Sequence, residues 1–137
     1  MARRSKAREL ALQMLYQMDV NADTDPKTVR LQIADEIPED DLREFAWQVF
    51  AGVMECRADI DAQLERVAEN WSLARMAVTD RNALRIGAFE ILHSETPYQV
   101  AIDEAIELAR KFGSAQSPQF VNGLLDKLVS AERKSNG

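Results

Sequence analysis

Residues 97–113 read PYQVAIDEAIELARKFG, and this stretch decides the fold class. Ala101, Ala105, Leu108, Ala109 and Phe112 recur at the three- and four-residue steps of one helix face. Pro97 stands where a first helical turn tolerates proline, and Gly113 follows at a position that commonly ends a helix. The same punctuation recurs at Asp25-Pro26, Ile37-Pro38 and Ser117-Pro118. No alternating strand pattern of useful length interrupts it.

Working outward, the spacing predicts seven helices. The first runs from about Ser5 to Asp19 and the second from about Pro26 to Asp35. The third starts near Pro38 and carries Leu42, Phe45, Ala46, Val49, Phe50 and Val53. A break is expected near Arg57–Asp59, with Asp59 capping a fourth helix that carries Ile60, Leu64, Val67 and Trp71. Trp71 closes that spacing and is expected to anchor the joint between two helical halves. The fifth helix follows Thr79, with Leu84, Ala88, Ile91 and Leu92. The sixth is the stretch after Pro97. The seventh has Ser117 as its cap and Pro118 at its first position, and it carries Val121, Leu124, Leu125, Leu128 and Val129. The expected architecture is an all-α, compact bundle in one domain spanning residues 1–137.

Composition narrows the function classes. With 137 residues, 46% of them hydrophobic, the chain can bury a real core. Its single cysteine, Cys56, excludes an internal disulfide and reads as a small buried hydrophobe. One Cys and one His, His93, do not make a zinc site or a thiol–imidazole nucleophile. The charged start from Arg3 carries no apolar signal region, and no run is long enough to span a membrane. A cytoplasmic location is therefore expected.

Net charge, −6, argues against nucleic acid, but its distribution does not. Arg3, Arg4, Lys6 and Arg8 precede the first acid, Glu9, while the acids gather at Asp35–Glu44. A local cationic field is what attracts a polyanion. The basic start of the first helix reads either as a phosphate-binding surface or as a solvated terminus. On that helix, Ala7, Leu10, Ala11, Met14, Leu15 and Met18 share one face, and Leu12 and Tyr16 fall on the other. Leu12 reads equally as an exposed contact residue or as part of a second packed face; the polar tip of Tyr16 favours contact.

The start of the last helix is a second candidate. Free backbone N–H groups there favour a phosphate. Phe120 lies in the first turn, Asn122 offers donors and acceptors, and Lys111 precedes the loop. Phe120 reads equally as core or as a stacking platform. Asp103, Glu104 and Glu107 raise the idea of paired catalytic carboxylates, but no further ligands accompany them. Glu107 and Lys111 stand four apart, as a helix-surface pair does. No catalytic residues, metal or cofactor are expected.

Four blocks together resemble the family of the bacterial transcription antitermination factor NusB. They are Arg3-Arg4-Ser5-Lys6-Ala7-Arg8-Glu9 continuing to Gln17; Trp71–Met76 with Asp80–Ile86; Pro97–Ala109; and Phe120-Val121-Asn122-Gly123-Leu124-Leu125-Asp126. They come in the family's order and span about residues 3 to 129. Ser5 stands where some relatives carry another basic residue, and Asp103 where the family usually has Asn.

The resemblance implies two packed helical subdomains. It implies binding to the single-stranded boxA element of nascent ribosomal RNA and a heterodimer with NusE, a small-subunit ribosomal protein. It further implies a link to the RNA polymerase elongation complex through other Nus factors. It tips Phe120 toward RNA contact. The expected RNA-binding set is Arg3, Arg4, Lys6, Arg8, Lys111, Gln116, Phe120 and Asn122. The expected partner-binding set is Leu12, Tyr16, Asp80 and Arg81. The same fold also occurs fused to RNA cytosine methyltransferases, but no nucleotide-binding βαβ unit is readable here, so a stand-alone factor is expected. A helical protein adaptor without RNA binding is the other reading, and salt-dependent RNA affinity separates the two.

Overall fold

Helix starts follow the proline and acid signals. In the computed structural model, which describes residues 2–136, the elements are α1 (Ala2–Val20), α2 (Pro26–Glu36), α3 (Asp40–Val67), α4 (Val78–His93), α5 (Tyr98–Phe112) and α6 (Ser117–Asn136). A single 3-10 turn, Leu73–Arg75, lies between α3 and α4. No strand occurs among the described residues. Asp25 caps α2 by accepting the Lys27 N–H at 2.9 Å, with Pro26 opening the helix. Asp40 and Asp41 lie in the first turn of α3 and Arg66 in its last, each sign complementing the helix dipole.

The expected break near Arg57–Asp59 is absent. The third and fourth helices of the sequence reading are one helix of 28 residues, α3, about 42 Å long at 1.5 Å per residue. Asp59 is not a cap; it lies inside α3 and pairs with His93 at 2.9 Å. The apolar period runs unbroken from Val53 to Ile60 and Leu64, with no proline or glycine between them to stop it.

Burial sorts the helices into two cores. The first joins Leu10, Leu12 and Leu15 of α1, Val29 and Ile33 of α2, and Val49, Phe50 and Val53 of α3. The second joins Ile60 and Leu64 of α3 to Leu84 and Ile91 of α4, Ala101 and Ala105 of α5, and Val121, Leu125 and Leu128 of α6. These are the two helical subdomains. Phe89 packs against both cores. Every α4 residue from Asn82 to Ala88 is buried, so α4 is the shared spine.

Glycine at position 113 is required for space. A Cβ there would lie 2.7 Å from the Ala109 carbonyl oxygen, and the Gly113 N–H donates to that same oxygen at 2.8 Å. Ser117 is not a cap for α6: it is the first helical residue, and its buried hydroxyl accepts the Ser114 N–H at 2.9 Å. The Phe120 N–H instead donates to the Gln116 carbonyl at 3.1 Å. Trp71 lies outside any helix, 58% exposed, and is not the buried anchor its spacing suggested. That spacing was counted past the end of α3, where the chain turns at Ala68. No helix among the described residues is long and apolar enough to cross a membrane.

Candidate nucleic-acid interface

The start of α1 presents Arg3, Arg4 and Lys6 as exposed side chains. Arg3 stands 3.6 Å from Asp41, and Lys6 3.8 Å from Glu9. The Arg4 guanidinium lies over the Phe45 ring, 4.6 Å from its centroid. Lys111, exposed at the end of α5, hydrogen-bonds Glu9 from the other side, and this bond raises its ammonium above the ordinary value. Lys6 and Lys111 therefore flank one acid. The Arg3–Asp41 pair, with both side chains exposed, contributes little to stability.

Arg8 does not belong to that surface. Only 3% of it is exposed. Its Nε donates to Glu90 Oε1 at 2.9 Å, and its Nη1 lies 3.5 Å from Glu104. Ser5 Oγ also donates to Glu104, at 2.8 Å. Burial pushes the Glu90 carboxyl above the ordinary carboxylate range, and the Arg8 charge only partly offsets this. Arg8 is a bolt between α1, α4 and α5. A charged residue on the inward face of an otherwise basic stretch cannot be told from its neighbours by composition.

The partner set divides in the same way. Leu12 is 2% exposed and sits in the first core, so the expected Leu12–Tyr16 strip is not an exposed pair. Tyr16 is 43% exposed. The cause is that α1 packs against α3, α4 and α5, which covers both of its faces. Arg81 is half-buried: its Nε donates to Asp19 at 3.0 Å and its Nη1 to the Leu73 carbonyl at 3.2 Å.

Asp19 is the centre of a second polar knot. It also accepts from Asn82 at 2.9 Å and from Arg85 at 3.1 Å, while Arg57 approaches at 3.5 Å. Arg85 in turn makes two bonds to Asp61, at 2.9 and 3.0 Å. Burial raises the Asp19 carboxyl, but the Asn82 hydrogen bond and the Arg85 and Arg81 charges outweigh it and hold it below its ordinary value. Of its members only Arg81 was singled out from the sequence, because they are scattered over three helices, α1, α3 and α4.

A third set meets at the start of α6. Trp71 and Phe120 form an edge-to-face pair, ring centroids 5.5 Å apart and planes at 67°. They line a groove of about 380 Å³ with Arg75, Asp80, Ser114 and Gln116. Phe120 is half-buried, packed against the second core with part of it left at the surface. Asn122 is exposed on α6, apart from the lining of this groove. Gln116 and Phe120 were expected from the sequence as RNA contacts and Asp80 as a partner contact; Trp71 and Arg75 were not expected here. Asp80 Oδ1 is buried without a hydrogen-bond partner.

Elsewhere, half-buried Cys56 lines a groove of about 680 Å³ between α3 and α4 with Trp47, Phe89 and His93. No group of three or more His, Cys, Asp or Glu side chains among the described residues is placed to hold a metal ion.

Comparison with known proteins bears on this arrangement. The model of the NusB family matches residues 5–130. The transcription antitermination protein NusB of Anaeromyxobacter dehalogenans is 45% identical over 130 residues, covering 94% of this chain and 92% of its own. That of Desulfitobacterium hafniense is 43% identical over 137 residues, covering 97% and 92%. The T. maritima NusB structure superposes with a TM-score of 0.87 at 34% identity, covering 98% of this chain and 97% of that one. A crystal structure of the antitermination factors NusB and NusE in complex with dsRNA superposes at 0.84 with 26% identity, covering 96% and 98%. Together with the two-core helical fold and the cationic start of α1, these matches show that the chain belongs to the NusB family of transcription antitermination proteins.

Proposed function

We propose that this chain binds the single-stranded boxA element of nascent ribosomal RNA together with NusE, and so supports processive transcription of ribosomal RNA operons. The observation that carries the reading is the exposed group Arg3, Arg4 and Lys6 at the start of α1, in a chain whose net charge is −6. Phosphates are neutralised by just such a local cluster, with release of condensed counterions. The family member in complex with NusE and dsRNA supports NusE and RNA as the two kinds of partner. In this reading the protein works in the cytoplasm, as one domain over residues 1–137, and reaches the RNA polymerase elongation complex through other Nus factors. It acts by binding, not by catalysis, and uses no cofactor.

The test is a titration of labelled boxA RNA into the protein across a salt series, with and without NusE. Affinity should fall with salt, and NusE should raise it. By linkage, RNA should raise NusE affinity by the same factor. Absence of both RNA binding and a NusE complex would overturn the reading. A NusE complex with no RNA affinity at any salt would leave a protein adaptor in its place.

A further inference from the structure

We propose that Phe45 is a positioning residue for RNA binding: its ring holds the Arg4 guanidinium ready for a phosphate and leaves the N–H donors of that guanidinium free. The inference rests on the RNA-binding reading above and names how the cationic surface is prepared.

The cations of that region differ in what they are bound to. Arg3 is paired with Asp41, Lys6 and Lys111 with Glu9, and Arg8 with Glu90. Arg4 alone of these five makes no ion pair among the described residues; its guanidinium carbon lies 4.6 Å from the centroid of the Phe45 ring. A carboxylate partner occupies N–H groups that a phosphate would use. An aromatic face attracts the same charge through its quadrupole and leaves the planar fork of donors for another acceptor. The Arg4 fork is therefore open to the two-pronged pairing that a guanidinium makes with a phosphate.

The ring is itself held. Phe45, on α3, is half-buried and packs against the first core. Arg8, one turn along α1 from Arg4, lies 5.0 Å from the same centroid and is fixed by Glu90. An exposed arginine has much rotamer freedom to lose on binding. Contact with a ring anchored to the core removes part of that freedom beforehand, so less is lost when RNA arrives.

The experiment is a double-mutant cycle on the full chain, with single-stranded boxA RNA titrated at fixed salt. Phe45→Leu keeps an apolar side chain and removes the π face. It should weaken RNA binding about two- to fivefold, the worth of one exposed cation–π contact. Phe45→Tyr keeps the ring and should bind as the unsubstituted protein does. In an Arg4→Ala background, Phe45→Leu should have no further effect. A packing role alone would weaken binding equally in both backgrounds; that result, or unchanged affinity in folded Phe45→Leu, overturns the proposal. A second measurement needs no variant: the Phe45 ring current should shift the Arg4 δ-methylene protons upfield, in the free protein and in the RNA complex alike. Absence of that shift in either state also overturns it. If Arg4→Ala leaves RNA affinity and its salt slope unchanged, the RNA-binding reading of α1 falls together with the role of Phe45. If Arg4→Ala weakens binding and Phe45→Leu does not, only the role of Phe45 falls.

Discussion

Arg8 Nε stands 2.9 Å from Glu90 Oε1, and the two nearly enclosed side chains are 82 positions apart in sequence. This pair ties α1 to the shared spine of the bundle. It also divides the basic start of α1 by function: Arg3, Arg4 and Lys6 face solvent, and Arg8 faces the core.

Removing one partner of a buried pair leaves an uncompensated charge. Arg8→Ala should cost about 3–5 kcal/mol, read from urea unfolding. Adding Glu90→Gln should restore part of the loss, since it removes the stranded carboxylate. An unchanged midpoint in Arg8→Ala would mean the pair does not hold the two helices together.

The exposed cations should behave in the opposite way. Arg4→Ala with Lys6→Ala should leave the melting temperature nearly unchanged. The pair should weaken boxA binding and reduce its salt slope by about 0.7 for each lost phosphate contact. Wild-type affinity and slope in that variant would move the RNA surface off α1.

Acid should act on the Asp19 knot. Its carboxyl titrates below the ordinary 3.8 when folded, so between the two values the unfolded chain binds more protons than the folded one. The stability it contributes is complete above pH 3.8 and is lost as pH falls through the lower folded value. Asp19→Asn should be destabilised at neutral pH and show a flatter acid limb. Unfolding midpoints that run parallel to wild type below pH 3.8 would contradict this.

Tyr16 is the exposed aromatic of α1, at 43%. In the proposed complex, Tyr16→Ala should weaken NusE affinity more than intrinsic RNA affinity, measured separately by calorimetry. Leu12→Ala should instead lose about 2–5 kcal/mol of stability as a core truncation. Equal effects of Tyr16→Ala on both ligands would place it outside the partner surface.

How far the sequence revealed these features depended on the number of neighbours each element has. α5 and α6 bury one broad face, and their periods read correctly, although Ser117 is the first helical residue of α6 and not its cap. α1 and α4 are packed on more than one side, so face counting left Leu12 open between core and contact and could not separate Arg8 from Arg4. The break expected at Arg57–Asp59 came from acids that resemble a cap; in the structure Asp59 and Asp61 are occupied with His93 and Arg85 from α4. Trp71 was misplaced for the reverse reason, a helical count carried beyond the last helical turn. Its meeting with Phe120, 49 positions later, depends on tertiary packing that no local pattern encodes.

α3 is a wall of both cores: Val49, Phe50 and Val53 in one, Ile60 and Leu64 in the other. Fraying either end strips a wall from the core at that end and shortens the helix that supports the other. The two halves are thus coupled into one cooperative unit despite their separate interiors. Heat or denaturant should dismantle both in a single transition, and the central amides of α3 should exchange with solvent only through global opening.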